Sequence, residues 1–252
     1  MPLLELAGVS KSFGGIVALH EVTLAVAEGE PVGLVGPNGA GKTTLFDCIA
    51  GLLEPEAGSI RFGGRRVDGL PPFRRSRLGM ARTFQRLELF SGMTPLEHLL
   101  VTERTRQGTG RLWKDLVGLG RPTRAERREA DALLDLVGLA DVADQPVEVL
   151  GLGRARLVEL ARALAAGPRL LMLDEPSSGL DDDEREALAS AVERARREQG
   201  AAVLLVEHDL DLVAEVVSRL VVLDAGKVIA DGGVSTVLAD EGVRRAYLGA
   251  AR

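Results

Sequence analysis

A glycine-rich loop between an apolar run and a helical pattern constrains the fold more than any other feature of this chain. Residues 31–35 form the valine-containing run PVGLV, and the apolar side chains of TTLFDCIAGLL recur at helical spacing from residue 45 onward. The loop between them matches G-x-x-x-x-G-K-[ST] in full. Its residues are Gly36, Pro37, Asn38, Gly39, Ala40, Gly41, Lys42 and Thr43. The sequence therefore predicts a strand, a tight loop and a helix in succession.

This loop predicts the binding of a nucleoside triphosphate. Glycines let successive backbone N–H groups point at phosphate oxygens, and the following helix adds the positive end of its dipole. Lys42 supplies a positive charge for the β- and γ-phosphates, and the Thr43 hydroxyl is a suitable Mg²⁺ ligand. A GTPase needs an Asn-Lys-x-Asp guanine motif, but Asn38 is the only asparagine in the chain. We therefore expect ATP with Mg²⁺ at residues 36–44, including Thr44.

A second motif places two acids at the end of an apolar strand, in the run LLMLDEP. Asp174 is suited to hold Mg²⁺ directly or through water, and the adjacent Glu175 is suited to orient the attacking water and accept its proton. A helical pattern and a second apolar run, AAVLLVEHD, follow. Because a strand–helix–strand unit of this length needs a crossover connection, it predicts a parallel sheet.

Length and composition bound the remaining possibilities. The chain has 252 residues, which fits one α/β core with an inserted subdomain better than two full domains. A formal net charge of −6 argues against a nucleic-acid binder. Cys48 is the only cysteine, which excludes an internal disulfide and a cysteine-rich zinc site. No apolar run reaches the length of a transmembrane helix, and the start lacks a secretory pattern, so a cytoplasmic protein is expected.

The chain divides by pattern into a core and an insert. Short strands with turns fill the first thirty or so residues, and we expect an antiparallel β region there. Residues 86–161 are helical in tendency, and RPTRAERREADALLDLVGL has an amphipathic helical pattern. We therefore expect a nucleotide-binding α/β core over residues 1–85 and 162–252, with a helical subdomain over 86–161.

Nearly the whole chain resembles the nucleotide-binding subunits of ABC transporters, with the motifs in the same order. The resemblance implies an ABC-type phosphate-loop NTPase fold and ATP hydrolysis coupled to transport. It places Phe13 against adenine, Gln85 of ARTFQ as a link between the Mg²⁺ site and the membrane-facing groove, and His208 near the γ-phosphate. Ser178-Gly179-Leu180-Asp181 resembles the loop that crosses the dimer interface.

One element departs from the family pattern. The signature resembles Leu-Ser-Gly-Gly-Gln or Leu-Ser-Tyr-Gly-Gln, and its slot here contains Leu150, Gly151, Leu152, Gly153 and Arg154. Glycine stands where the serine would donate to the γ-phosphate held by the opposite subunit. The resemblance therefore implies a weakened contact to a partner's ATP. We expect a heterodimer in which this chain's own site stays hydrolytic, with a homodimer as the alternative.

Two stretches narrow the resemblance to one kind of transporter. ARTFQRLELFSGMTPLEHLLV and the tail GVRRAYLG resemble the ATPases of branched-chain amino acid importers, and urea-type short-amide importers share much of this pattern. The resemblance implies permease subunits, a substrate-binding protein, and a peripheral position on the inner face of the membrane. It leaves open a hydrolytically impaired regulatory subunit. A non-transport ABC ATPase or a small-molecule kinase fits less well, because their extra domains or acceptor lid are not evident.

The apolar residues after the glutamine are candidates for the groove that receives a membrane partner. Their alternative role is internal packing of the helical insert. They are Leu87, Leu89, Phe90 and Met93.

Overall fold

The computed structural model describes residues 1–83, 87–107, 122–208 and 210–249, and its strands form two sheets. The first sheet has four strands in the order β2-β1-β4-β5. Its strands are β1 (Leu4–Phe13), β2 (Ile16–Val26), β4 (Ala57–Phe62) and β5 (Arg65–Arg66). All of its pairings are antiparallel, which confirms the antiparallel N-terminal region.

The second sheet has six strands in the order β10-β9-β3-β8-β7-β6. Its strands are β3 (Pro31–Val35), β6 (Met80–Arg82), β7 (Leu170–Asp174), β8 (Ala202–Val206), β9 (Arg219–Asp224) and β10 (Lys227–Gly233). Pairing is parallel from β6 to β9, and only β10 joins antiparallel. Strands β7 and β8 are buried throughout, as expected for the centre of a parallel sheet.

Helices account for most of the remaining described chain. They are α1 (Lys42–Ala50), α2 (Pro72–Arg77), α3 (Pro95–Gln107), α4 (Arg124–Leu136), α5 (Leu152–Ala165), α6 (Asp182–Gln199), α7 (Leu210–Val216), α8 (Val234–Ala239) and α9 (Glu241–Gly249). Among the described residues, no helix combines the length and the apolar character of a membrane span. Together with the mainly parallel six-stranded sheet, these helices confirm the α/β class.

Contacts group the chain into two compact units. The first unit contains residues 1–82, 169–175 and 200–252, and the second contains 83–168 and 176–199. Both sheets belong to the first unit, whose core is a cluster of buried aliphatic side chains together with Phe46 and Phe62. The second unit contains α3, α4, α5 and α6. This grouping assigns α6 to the helical unit, whereas the pattern-based division ended the helical subdomain at residue 161.

Candidate functional site

The glycine loop connects β3 to α1 and has a fixed backbone path. Gly36 has a φ of 152°, and a Cβ atom there would lie 2.0 Å from the Leu223 carbonyl oxygen. The Ala40 N–H donates to the Pro37 carbonyl over 3.1 Å, and Gly226 N–H donates to the Ala40 carbonyl over 2.9 Å. The end of β9 and the turn after it therefore support the loop from behind.

Lys42 begins α1 and its ammonium group lies within this loop. Its Nζ donates to the Gly36 carbonyl over 2.6 Å and to the Pro37 carbonyl over 3.1 Å. Burial lowers the pKa of Lys42, and the charges of the Glu175 and Asp174 carboxylates oppose that shift. The structure thus brings the lysine and the two acids within electrostatic reach of each other.

Asp174 and Glu175 lie at the carboxyl end of β7, in different environments. Asp174 is 4% exposed, and burial raises its pKa, while the Arg82 guanidinium opposes the increase. Glu175 has a φ of 46° and donates its backbone N–H to the Val206 carbonyl over 2.9 Å. Left-handed backbone costs an ordinary residue about 1–3 kcal/mol and recurs at functional positions. The strained backbone at Glu175 therefore sets the direction of its side chain.

His208 follows β8 and meets Glu175. Its Nε2 lies 2.7 Å from Glu175 Oε1, a distance at which the ring N–H donates to the carboxylate. The side chain of His208 is 43% exposed and that of Glu175 is 19% exposed, so both groups remain reachable from solvent. A water molecule held by this pair would have a proton acceptor and a donor beside it.

The other residues predicted for the nucleotide site lie on different elements or outside the described residues. Phe13 ends β1 and is 46% exposed, so it does not belong to the hydrophobic core. Lys11 Nζ lies 5.5 Å from the centroid of its ring. Thr43 and Thr44 lie in the first turn of α1, where Thr43 is exposed. Gln85 lies outside the described residues.

The predicted signature slot forms the start of α5, in the second unit. Gly151 is the N-cap residue and provides no side-chain hydrogen bond to the helix. Leu152 is 39% exposed, and Arg154 Nη1 lies 2.8 Å from Asp141 Oδ2. The Gly153 N–H donates to Glu184 Oε1 over 3.1 Å, and a Cβ on Gly153 would lie 2.6 Å from that carboxylate.

The dimer-interface loop of the resemblance ends in a capping box. The Glu184 N–H donates to Asp181 Oδ1 over 2.9 Å, and the Asp181 N–H donates to Glu184 Oε2 over 3.3 Å. Glu184 thus caps α6 and also accepts a hydrogen bond from the Gly153 amide. Glu184 was not among the residues predicted from the sequence, although the Asp-x-x-Glu spacing before a helix signals the capping box.

A second overlooked residue is Arg82, which contacts Asp174 directly. An arginine that ends a short apolar strand, as Arg82 ends β6 (Met80–Arg82), is unusual in a buried position, and this was the available signal. Its partner, however, is 92 residues away in sequence, which no local pattern reveals.

Comparisons with known proteins agree with this architecture. Residues 19–178 match the family model described as ABC transporter. The high-affinity branched-chain amino acid transport ATP-binding protein BraF of Pseudomonas aeruginosa is 38% identical over 256 residues, covering 99% of each chain. The corresponding protein LivG of Salmonella typhimurium is 38% identical over 253 residues, again covering 99% of each chain.

Solved structures give the same result. A nucleotide-free ATP-binding cassette from an ABC transporter has a TM-score of 0.83 and 28% identity, covering 98% of this chain and 99% of that chain. An ATP-binding cassette in its ADP conformation has a TM-score of 0.84 and 28% identity, with 99% of both chains covered. A dimeric cassette bound to ADP and phosphate has a TM-score of 0.76 and 26% identity, covering 92% of this chain and 98% of that chain.

Cassettes of this family bind nucleotide and are ATPases that power transport. The matches extend over nearly the full length of the chain, and the phosphate loop lies within the region that the family model matches. This chain therefore belongs to the ABC transporter family, as one of its ATP-binding cassettes.

Proposed function

We propose that this cassette hydrolyses ATP to drive an importer of branched-chain amino acids. The observation that carries the proposal is the similarity to BraF and LivG, which extends over 99% of this chain and of each relative. Short-amide importers remain the alternative cargo class, because an ATPase subunit records its cargo only through ancestry. We take residues 1–85 and 162–252 as the nucleotide-binding core, with 86–161 as the helical subdomain.

In the proposed reaction, the loop amides and Lys42 hold the triphosphate while Phe13 stacks on adenine. Water attacks the γ-phosphorus in line with the bond to the ADP oxygen, which breaks as the new P–O bond forms. Glu175 accepts the proton that the water loses, and His208 and Lys42 stabilise the charge that develops. The 2.7 Å contact between His208 and Glu175 supports this assignment, because it fixes the carboxylate beside a donor.

The residues around Asp174 fit a magnesium ion. Mg²⁺ prefers oxygen ligands and usually takes one or two carboxylates together with substrate phosphates. Asp174 offers a buried carboxylate, and Thr43 is an exposed residue in the first turn of α1. Gln85 is the third proposed ligand. When bound, the ion would neutralise phosphate charge.

We propose that two cassettes form the working unit and that each signature faces the partner's ATP. Gly151 keeps a backbone N–H at the start of α5 but lacks the serine hydroxyl. In a heterodimer, this chain's own site remains hydrolytic and the partner's site is weakened. Phosphate release by the chain alone and with its companion tests this scheme, and full activity of the chain alone would refute it. A hydrolytically impaired regulatory role is favoured only by the altered signature.

The permease partners are expected to contact the exposed apolar residues after Gln85. Leu87 and Phe90 are 38% and 53% exposed. We place the chain on the inner face of the membrane, beside those permeases and their substrate-binding protein.

The decisive experiment reconstitutes the chain with the permease subunits of a branched-chain amino acid importer and measures ATP hydrolysis with added cargo. Leucine, isoleucine or valine should stimulate phosphate release, and Lys42→Ala should abolish it. Stimulation by urea or short amides alone would assign the cargo to the alternative class. If none of these cargoes stimulated phosphate release, the proposal would be refuted.

A further inference from the structure

Arg82 joins two parts of the first unit that the nucleotide site depends on. Its Nη1 lies 2.5 Å from Asp47 Oδ1 on α1, and its Nη2 lies 2.7 Å from Asp174 Oδ2 at the end of β7. The side chains of Arg82 and Asp174 are 10% and 6% exposed, so the bridge is largely shielded from water. The guanidinium carbon also lies 5.6 Å from the ring centroid of Phe46, the neighbour of Asp47.

We propose that Arg82 is a positioning residue that fixes the Asp174 carboxylate relative to the helix of the phosphate loop. The proposal rests on the assignment of Asp174 to the nucleotide-bound magnesium. The χ2 torsion of an aspartate is broad, so strand β7 alone does not fix the direction of its two oxygens. A planar guanidinium anchored on Asp47 does fix that direction, because Nη1 binds Asp47 while Nη2 binds Asp174.

The geometry leaves one oxygen of Asp174 for the metal. Arg82 engages Oδ2, and the structure records no hydrogen bond to Oδ1 among the described residues. The anchor at the other end lies on α1, the helix that begins with Lys42 and Thr43. Arg82 therefore sets the spacing between the acid that would hold the metal and the helix that follows the phosphate loop.

Stability alone is a weak explanation for this bridge. Buried ion pairs lose much of their attraction to desolvation, and well-packed apolar side chains often serve a core as well or better. A guanidinium has a geometric property that an apolar residue or a lysine lacks: two donors at fixed separation in one plane. The bridge between α1 and β7 uses that property.

The variant Arg82→Lys separates a role in stability from a role in positioning the Asp174 carboxylate. Lysine keeps the charge but, as a point charge, does not reproduce the two-pronged geometry. Groups that orient a metal ligand typically contribute 10–100-fold to metal affinity, so we expect the Mg²⁺-dependent gain in ATP affinity to fall by about tenfold or more. ATP affinity in the presence of EDTA should change little, since the loop amides and Lys42 are intact.

The matched control is Arg75→Lys. Arg75 is 1% exposed and donates to the carbonyls of Cys48 and Ile49 at the other end of α1. Like Arg82, Arg75 is largely buried and contacts α1, but among the described residues it binds backbone carbonyls and no carboxylate of the nucleotide site. We expect Arg75→Lys to lower the thermal midpoint without altering the Mg²⁺-dependent gain.

The experiment measures the Kd of ATP by calorimetry on the full chain, with Mg²⁺ and with EDTA, and compares the ratio of the two constants. A ratio reduced in Arg82→Lys and unchanged in Arg75→Lys supports the positioning role. If Arg82→Lys does not fold, Asp47→Ala, which removes the anchor from a partly exposed site, takes its place with the same expected direction. An unchanged ratio in the folded variant overturns the proposal. Failure of the wild-type chain to bind ATP under either condition would instead overturn the proposed function, and this inference with it.

Discussion

Substitution of the first loop glycine, Gly36→Ala, tests whether the phosphate loop is held rigidly against β9. The added Cβ would lie 2.0 Å from the Leu223 carbonyl oxygen and 3.3 Å from the Ala40 Cβ. Non-bonded carbon atoms do not approach an oxygen so closely, so either the loop or the strand must shift by about 1 Å, and packed interiors resist such shifts. Leu223 is paired with Val228 of β10, which limits the movement of the strand.

The cost of Gly36→Ala has two parts. A φ of 152° is strained for an alanine and costs about 1–3 kcal/mol, and loss of a neighbouring backbone hydrogen bond adds about 1 kcal/mol. We therefore expect the free energy of unfolding to fall by about 2–4 kcal/mol, a substantial share of the total for a domain.

Gly39→Ala is the matched control, because Gly39 also has positive φ, at 79°, but no heavy atom of the described residues beyond its chain neighbours lies within 4 Å of its Cβ position. Its cost is limited to the backbone conformation, about 1–2 kcal/mol. Urea unfolding followed by circular dichroism compares the two variants. Equal unfolding free energies would refute the close approach of the loop to Leu223.

Three further perturbations test other parts of the structure. Glu175→Gly should abolish hydrolysis yet raise the free energy of unfolding by about 1 kcal/mol, because glycine adopts the φ of 46° without strain. A lower unfolding free energy in urea would contradict the presence of backbone strain at Glu175. Burial and Glu129 raise the pKa of Glu103 from 4.5 to about 7, so the native fold loses stability as the pH rises through that interval. Glu103→Gln removes this pH-dependent loss of stability. Its unfolding free energy should therefore exceed that of the wild type by more at about pH 8 than at about pH 5, and an equal difference at both pH values would argue against the raised pKa. The Tyr247 hydroxyl is buried without a regular hydrogen bond among the described residues, and only the Gly36 amide offsets the increase in its pKa. Tyr247→Phe should therefore change the unfolding free energy by less than about 1 kcal/mol, and a loss above about 2 kcal/mol would reveal a stronger bond.

Local patterns in the sequence were sufficient to predict the elements that carry the site. The run PVGLV became β3 (Pro31–Val35), and LLMLD became the fully buried β7. Both runs are short, apolar and followed by polar or glycine-rich residues, which is the pattern of central parallel strands. The amphipathic pattern around Ala130 and Leu134 became α4, which also begins with a capping box at Thr123.

What the sequence did not predict are contacts between residues far apart in the chain. Arg82 meets Asp174 across 92 positions, and Glu184 meets the Gly153 amide across 31. The left-handed backbone of Glu175 was also unpredictable, because no residue preference marks a glutamate for positive φ. These features follow from the packing of whole elements, which sequence periodicity does not encode.

The central claim is that Glu175 lets water cleave an ATP molecule held by the loop around Lys42. Its most direct test measures ATP binding and phosphate release by the wild-type chain and by Glu175→Gln, each with the companion cassette. We expect similar Kd values for ATP and a turnover reduced by about 10²–10⁴-fold in Glu175→Gln, because the amide no longer accepts the proton. Undiminished phosphate release by Glu175→Gln would contradict the claim.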